Sequence, residues 1–269
     1  MAEEAEHGGI LYPTRLPTFH RVPAPAELSE LVRWFWMPRW DLAPGRTSRQ
    51  TVLPFPASNL VIGPEGITLA GPTTGVSHRD LRGTGWAVGA LLRPAAAATL
   101  SGALEEIADT EVEFVAPELH RGVAEAMQEY SAAARERAAS VFAAWITKQL
   151  QRPAQTDLLG NRLEDLIASD RSIVRVDQLA QHLAMSTRSL QRLSLRAIGL
   201  PPLAVIRRYR LQEAAERLRT TPEVTIGQIA VDRGDQGRGL HAGQEVAEEP
   251  LLGGFEGGAG GGLGLPVQG

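Results

Sequence analysis

Residues Val176–Arg219 read VDQLAQHLAMSTRSLQRLSLRAIGLPPLAVIRRYRLQEAAERLR. Their periodicity decides the fold of the second half of the chain. Asp177 is a candidate N-cap for a helix over Gln178–Ala184, with Leu179 and Leu183 one turn apart on one face. The small Ala180 falls where two helices would cross. Ala184-Met185-Ser186 makes a tight turn, and Ser186 caps the next helix. In that helix Leu190, Leu193 and Ala197 recur at the 3.6-residue period and point inward. Gly199 suits its C-terminal end. Pro201-Pro202 then opens a long helix through Leu218, with Leu203, Ile206, Leu211, Ala214, Ala215 and Leu218 as its apolar stripe. Two short helices, a tight turn and a following long helix are the layout of a helix-turn-helix.

The charge on this segment is one-sided. Residues 171–220 hold ten Arg and no Lys against Asp177, Glu213 and Glu216, so 10 − 3 = +7. The whole chain carries −4, which leaves −4 − 7 = −11 for the rest. A basic block on an acidic chain is the electrostatic footprint of a nucleic-acid module joined to something else. On the second helix the inward leucines leave Arg188, Gln191, Arg192 and Arg196 on the opposite face. Arg and Gln side chains make bidentate hydrogen bonds to guanine and adenine edges in the major groove. Ser186, Arg207 and Arg208 are candidate phosphate contacts. Periodicity alone supports an ordinary three-helix fragment with a solvated arginine face equally well; the charge asymmetry favours DNA.

The remaining 200-odd residues limit the alternatives. An apolar fraction of 43% is enough for real cores. The absence of cysteine excludes disulfides, thiol nucleophiles and Cys-ligated zinc. The start, MAEEAEHGGILYP, lacks the order of a secretory signal. No apolar run reaches the roughly 18 residues of a membrane span, so no membrane partner and a cytoplasmic location are expected. Leu31–Met37, Gln50–Leu53, Asn59–Ile62, Ile67–Ala70 and Trp86–Leu92 read as strands between Pro/Gly turns. Ala24–Met37 also fits a helix, because Leu28, Leu31, Val32 and Phe35 have helical spacing. Helices are expected over Ala95–Leu100, Pro117–Tyr130, Ala132–Leu150 and Leu158–Ala168, with a domain junction at Ser169-Asp170-Arg171. The stretch Gly234–Gly269 holds 13 Gly in 36 residues and no sustained period, which predicts disorder.

Other chemistry is thinly signalled. His20, His78 and His120 show no metal-ligand spacing, and neither a metal site nor a cofactor is expected. Gly83-Thr84-Gly85 is too short for a dinucleotide loop and reads as a hairpin turn. Glu105, Glu106 and Asp109 read as the solvated face of a helix. No catalytic constellation stands out, so the chain is not read as an enzyme. Trp34, Trp36 and Trp40, with Phe35, are candidates to line an apolar effector pocket, although for each one a plain core or edge aromatic is the simpler reading.

Val176–Arg219 resembles the first half of an AraC/XylS-type DNA-binding domain. MSTRSLQRL is similar to that family's first recognition helix, and GLPPLAVIRRYRLQEAAERL to its linker helix. LVRWFWM, VLPFPASNLVIG, LAGPTT and VGALLRPAAAATLSG resemble, in order, segments of a sensor-like domain found upstream in one branch. The resemblance implies two helix-turn-helix units reading successive major grooves, and gives Arg188, Gln191, Arg192 and Arg196 base or phosphate contacts. Two departures stand out. Ser194 sits where relatives carry a Phe or similar core residue, which predicts lost packing. Thr225–Arg233 (TIGQIAVDR) resembles the first helix of the second unit, but the sequence after Gly234 carries no second recognition helix and reads like out-of-frame translation of a GC-rich gene.

The expected fold is therefore α+β. A small antiparallel sheet or barrel with helices (residues 10–168) precedes an all-helical DNA-binding domain (171–233) with an incomplete second unit, then a disordered tail (234–269). The expected function is a sequence-specific transcription regulator of AraC type, its first helix-turn-helix reading the major groove, with activator and repressor both open. The alternative is a DNA-binding-impaired, effector-binding or dimerising remnant. Expected partners are double-stranded DNA, a small-molecule effector in the N-terminal domain and a second copy in a homodimer.

Overall fold

A computed structural model of the chain describes residues 18–129 and 131–221, with Thr225 and Gln228. The strands are β1 (Thr18–Pro23), β2 (Val32–Asp41), β3 (Thr47–Val52), β4 (Asn59–Gly63), β5 (Gly66–Ala70), β6 (Ser77–Arg82), β7 (Thr84–Trp86), β8 (Val88–Leu92) and β9 (Glu111–Glu113). They form an antiparallel seven-stranded sheet in the order β1-β2-β8-β4-β5-β9, with β7 also on β2, and a separate β3–β6 ribbon. The helices are α1 (Pro94–Leu100), α2 (Pro117–Ala126), α3 (Ala132–Gln149), α4 (Leu158–Ser169), α5 (Val176–His182), α6 (Thr187–Ile198) and α7 (Pro202–Thr220). A sheet-rich N-terminal region followed by helices matches the expected α+β class.

The ambiguity at Ala24–Met37 resolves by segment. Ala26–Leu28 makes one 3-10 turn, and the chain is a strand from Val32. Strand wins there because β2 lies between β1, β7 and β8, where aromatic side chains on alternate positions can use both faces. Phe35 and Met37 point into the first core, where Phe35 meets Phe142 of α3 at a ring separation of 5.4 Å. Trp34, Trp36 and Trp40 take the opposite face. Strands β1, β6 and β9 were not expected. The expected Gly83-Thr84-Gly85 hairpin is instead a crossing point: Gly83, at φ 53°, carries the chain from the ribbon strand β6 into β7 on the main sheet.

Residues 102–109 are a run of turns and not a helix, so Glu105, Glu106 and Asp109 share no helical face. Asp109 sits at φ 59° and accepts hydrogen bonds from the Thr74 N–H and hydroxyl, both at 2.6 Å. Its role is to tie two loops together.

A second core gathers Leu163 and Ile167 of α4, Ile173, Leu179 of α5, Leu190 and Leu193 of α6, and Val205, Ile206 and Tyr209 of α7. By packing, α4 belongs with the helices that follow it, whereas the first core ends at Leu150. Helical periodicity tells which face of α4 is buried but not against what.

Candidate nucleic-acid interface and cavity

The helix-turn-helix forms as α5, a tight turn and α6. The first cap differs from expectation. The helix starts at Val176, Asp177 lies in its first turn paired to Arg175 at 3.0 Å, and Gln178 Oε1 accepts from the Val174 and Arg175 N–H groups. The turn places Ala184 at φ 51°, a left-handed conformation that costs a non-glycine residue about 1–2 kcal/mol. Met185 N–H bonds back to the Ala180 carbonyl at 3.0 Å. Ser186 caps α6 by accepting from Ser189 N–H at 3.2 Å. Gly199, at φ 84°, ends α6, and a Cβ there would come within 2.6 Å of the Leu104 carbonyl.

Leu190, Leu193, Ala197 and Ile198 are buried on α6, whereas Arg188, Gln191, Arg192 and Arg196 are exposed. Arg188, Arg192 and Arg196 follow one another at four-residue steps, so they span about 12 Å of helix. Two successive like-charged i,i+4 pairs cost roughly 0.4–1 kcal/mol in total. Each fully buried leucine on the opposite face contributes about 1.5–3 kcal/mol, so the seam outweighs the repulsion and the helix stands with its arginines unpaired by carboxylates of its own. Ser194 is fully buried, but its hydroxyl donates to the Leu200 carbonyl at 2.6 Å. The expected packing loss is thus offset by a bond that fixes the turn from α6 to α7.

The three arginines of early α7 have separate surroundings. Arg207 is exposed. Arg208 is half-buried with its Nε fully buried, and its charge acts on Asp109. Arg210 is buried and donates to the carbonyls of Ile167 and Asp170 at the end of α4 and of Ile173, while pairing with Glu213. A guanidinium on the last carbonyls of a helix satisfies acceptors that the helix leaves orphaned. Arg210 therefore fixes α7 to α4.

A polar cluster joins the two cores. Glu164 of α4 is 1% exposed and receives Arg33 of β2 at 3.0 Å, Arg93 at 3.4 Å and the Tyr209 hydroxyl at 2.8 Å. Arg93 also makes a bidentate pair with Asp165, at 2.7 and 2.8 Å. Asn161 accepts from Ala95 N–H at 3.0 Å and donates to the Glu30 carbonyl at 2.8 Å. Burial acts to lower the Arg33 pKa, but Glu164 beside it outweighs this and holds the group charged. Burial, then the Glu164 charge, push Tyr209 well above the ordinary phenol value, so it stays a donor. None of these residues was singled out from the sequence. Glu164 lies 45 positions from Tyr209 and 131 from Arg33, and no local pattern links them.

Trp34, Trp36 and Trp40 all line a cavity of about 680 Å³ between the main sheet and the β3–β6 ribbon. Phe35, expected with them, faces the first core instead. Phe55 also lines the cavity, and it meets Trp34 at 6.3 Å and Tyr209 of α7 at 5.7 Å, ring to ring. Gln212 of α7 donates to the Pro54 carbonyl at 2.9 Å. One wall of the cavity thus touches the long helix that follows the helix-turn-helix.

The histidines lie apart: His120 Nε2 is 3.0 Å from the Gly63 carbonyl, and His78 Nδ1 is 3.4 Å from the Thr51 hydroxyl. Among the described residues no three metal-ligating side chains come together, and no helix is long and apolar enough to cross a membrane. The expected second-unit helix Thr225–Arg233, save Thr225 and Gln228, and the tail 234–269 lie outside the described residues.

An aromatic-lined β domain thus precedes a basic helix-turn-helix. Residues 179–234 match the family model described as a helix-turn-helix domain, and residues 20–113 match a domain of unknown function, DUF6597. The chain carries an AraC-type helix-turn-helix domain behind that N-terminal domain. No curated protein matches it in sequence. Among solved structures, ToxT from Vibrio cholerae O395 is 16% identical over 74% of this chain and 88% of its own, with a TM-score of 0.38. An apo variant of ToxT from V. cholerae strain SCE256 is 13% identical over the same shares, at 0.41. The AraC-like transcriptional activator CuxR is 12% identical over 80% of this chain and 90% of its own, at 0.23. At these identities and scores the likeness adds nothing to the two domain matches.

Proposed function

We propose that α6 reads one major-groove segment of a specific DNA site, with Arg188, Gln191, Arg192 and Arg196 toward base edges and Ser186 and Arg207 toward phosphates. The observation that carries this reading is the exposed face of α6: three arginines and a glutamine opposite a buried leucine seam. Arg208, although a candidate from sequence, is better accounted for by its burial beside Asp109. The domain limit that fits the packing falls within residues 151–157, between the last residue of the first core and α4. The cavity under the tryptophans is the proposed seat of a small-molecule effector. Its contact with α7 through Phe55 and Pro54 is the route by which occupancy would reach the DNA-binding helices.

The composition after Gly234 favours keeping a second reading, in which the chain binds effector or pairs with a copy of itself without reading an operator. With a single reader, affinity falls toward the non-specific range of about 10⁻⁴–10⁻⁶ M, and dimerisation would offset part of that. Gel-shift titrations of the full chain against its own upstream region, repeated with Arg192→Ala, decide between them. A site-specific complex weakened about 5- to 150-fold by the substitution supports regulation. Binding that is equal on unrelated DNA and indifferent to Arg192 supports the remnant.

A further inference from the structure

The wall of the cavity presents ring faces and commits its charges elsewhere. Trp36 stands opposite Gly89 of β8, and Trp40 opposite Gly85 of β7. Each indole lies over its glycine: a Cβ on Gly89 would sit 2.1 Å from the Trp36 ring, and one on Gly85 2.3 Å from the Trp40 ring. The indole N–H groups hold both rings in place, Trp36 Nε1 donating to Asn59 Oδ1 at 2.9 Å and Trp40 Nε1 to the Arg82 carbonyl at 3.2 Å. Both rings line the cavity, so they offer it π faces rather than hydrogen-bond donors. The charged groups of the lining are engaged within the protein. The Arg21 guanidinium lies 4.3 Å from the Trp34 ring centroid, a cation on an aromatic face. Arg79 pairs with Glu111, and Asp109 accepts from Thr74. Polar side chains of the lining follow suit: Gln50 donates to Ser48 Oγ at 2.8 Å, and the Thr110 hydroxyl to the Ile107 carbonyl at 3.0 Å.

We infer that the cavity takes an uncharged, flat, fused-ring aromatic molecule stacked on Trp36 and Trp40. This rests on the effector reading above and adds the ligand's chemistry. An anion or a cation would lose its water and would have to displace the existing partner of a wall charge. A hydroxyl-rich ring such as a sugar would give up its water for polar groups that are already committed. A flexible alkyl chain loses rotamer freedom against fixed rings without gaining stacking. The volume of about 680 Å³ falls within the range of small-molecule sites, about 300–1,000 Å³.

The test is calorimetric titration of the full chain with naphthalene-2-methanol, set against 2-naphthoate, 2-naphthyl-trimethylammonium, methyl glucoside and 1-decanol. The expected result is saturable one-site binding of naphthalene-2-methanol, at least about tenfold tighter than each of the others. Trp36→Leu and Trp40→Leu, each checked for an unchanged melting curve, should weaken it about 5- to 150-fold, the range of one lost stacking contact. The ranking on the unsubstituted chain is read whether or not those variants fold. Any comparison ligand binding within about tenfold of naphthalene-2-methanol, or no binding of naphthalene-2-methanol, overturns the proposal. So does undiminished binding by both leucine variants when folded. Binding in the expected order that leaves DNA affinity unchanged counts instead against the effector reading alone.

Discussion

Replacing Glu164 with Gln tests the joint between the two cores. The amide keeps the shape and can still accept from Tyr209, but it removes the carboxylate facing Arg33 and Arg93. Arg93 retains its bidentate pair with Asp165, while Arg33, 17% exposed, is left only a 3.4 Å contact to Asp165. Breaking a buried pair by removing one partner costs about 3–5 kcal/mol, and the surviving Asp165 places this case near 3. With a urea dependence of about 2 kcal/mol per molar, the unfolding midpoint should fall by about 1.5 M. Glu164→Gln combined with Arg33→Gln should be less destabilised than the sum of the single variants, because no charge is then buried alone. A coupling of at least about 1 kcal/mol is expected in that cycle. Urea titrations followed by circular dichroism at constant pH supply all four stabilities. A Glu164→Gln loss under about 1 kcal/mol, or strict additivity in the cycle, would refute the assignment of Glu164 as the keystone.

Ala184→Gly should stabilise the helix-turn-helix by up to about 1 kcal/mol, since glycine relieves the φ of 51° at the turn, and a higher melting temperature would register it. Gly160→Ala should destabilise by about 1–3 kcal/mol, because the new methyl would sit 2.7 Å from Ala197 Cβ and 3.0 Å from Pro94 Cβ where α4, α6 and α1 meet; an unchanged midpoint would contradict that close approach. Arg207→Ala should weaken binding to all duplexes alike and lower the slope of log affinity against log salt by about 1, whereas a sequence-dependent loss would assign it to bases. Asp109 gives a pH signature. Partial burial acts to raise its pKa, but the Thr74 hydroxyl, the Thr74 and Gly75 N–H groups and the Arg208 charge outweigh this and hold it below the usual carboxylate value. Its contribution is therefore present above the unfolded-state value of about 3.9 and lost as pH falls through the lowered folded one. Asp109→Asn should flatten that acid limb of the stability profile, and an unaltered limb would count against the Thr74 clamp.

What could be read from the chain, and what could not, divides by the range of the interactions. The helices α5 to α7 announce themselves within a turn or two: Ser186 caps, Leu190 and Leu193 repeat, Gly199 stops and Pro202 starts. The exposed arginine side of α6 follows from the same period. Strand β2 was legible from its aromatics, and the alternation of Trp34 and Trp36 with Phe35 could have separated cavity from core, because side chains of a strand point to opposite faces. Strand β6, SHRDLR, carries no apolar alternation; it is a strand because β3 pairs with it, with Arg49 and Asp80 opposed across the ribbon at 2.8 Å. Asp109 sat in a run that looked helical, and partners as distant as Thr74, 35 residues away, give it a role. Glu164 is the extreme case. On α4 it looks like any charged residue of an amphipathic helix, yet it is among the least exposed side chains in the protein. Burying a carboxylate is prohibitive without cations, and its cations come from β2 and from the start of α1. A local reading assigns such a residue to solvent by default. Only the packing of α4 between two cores reverses that assignment.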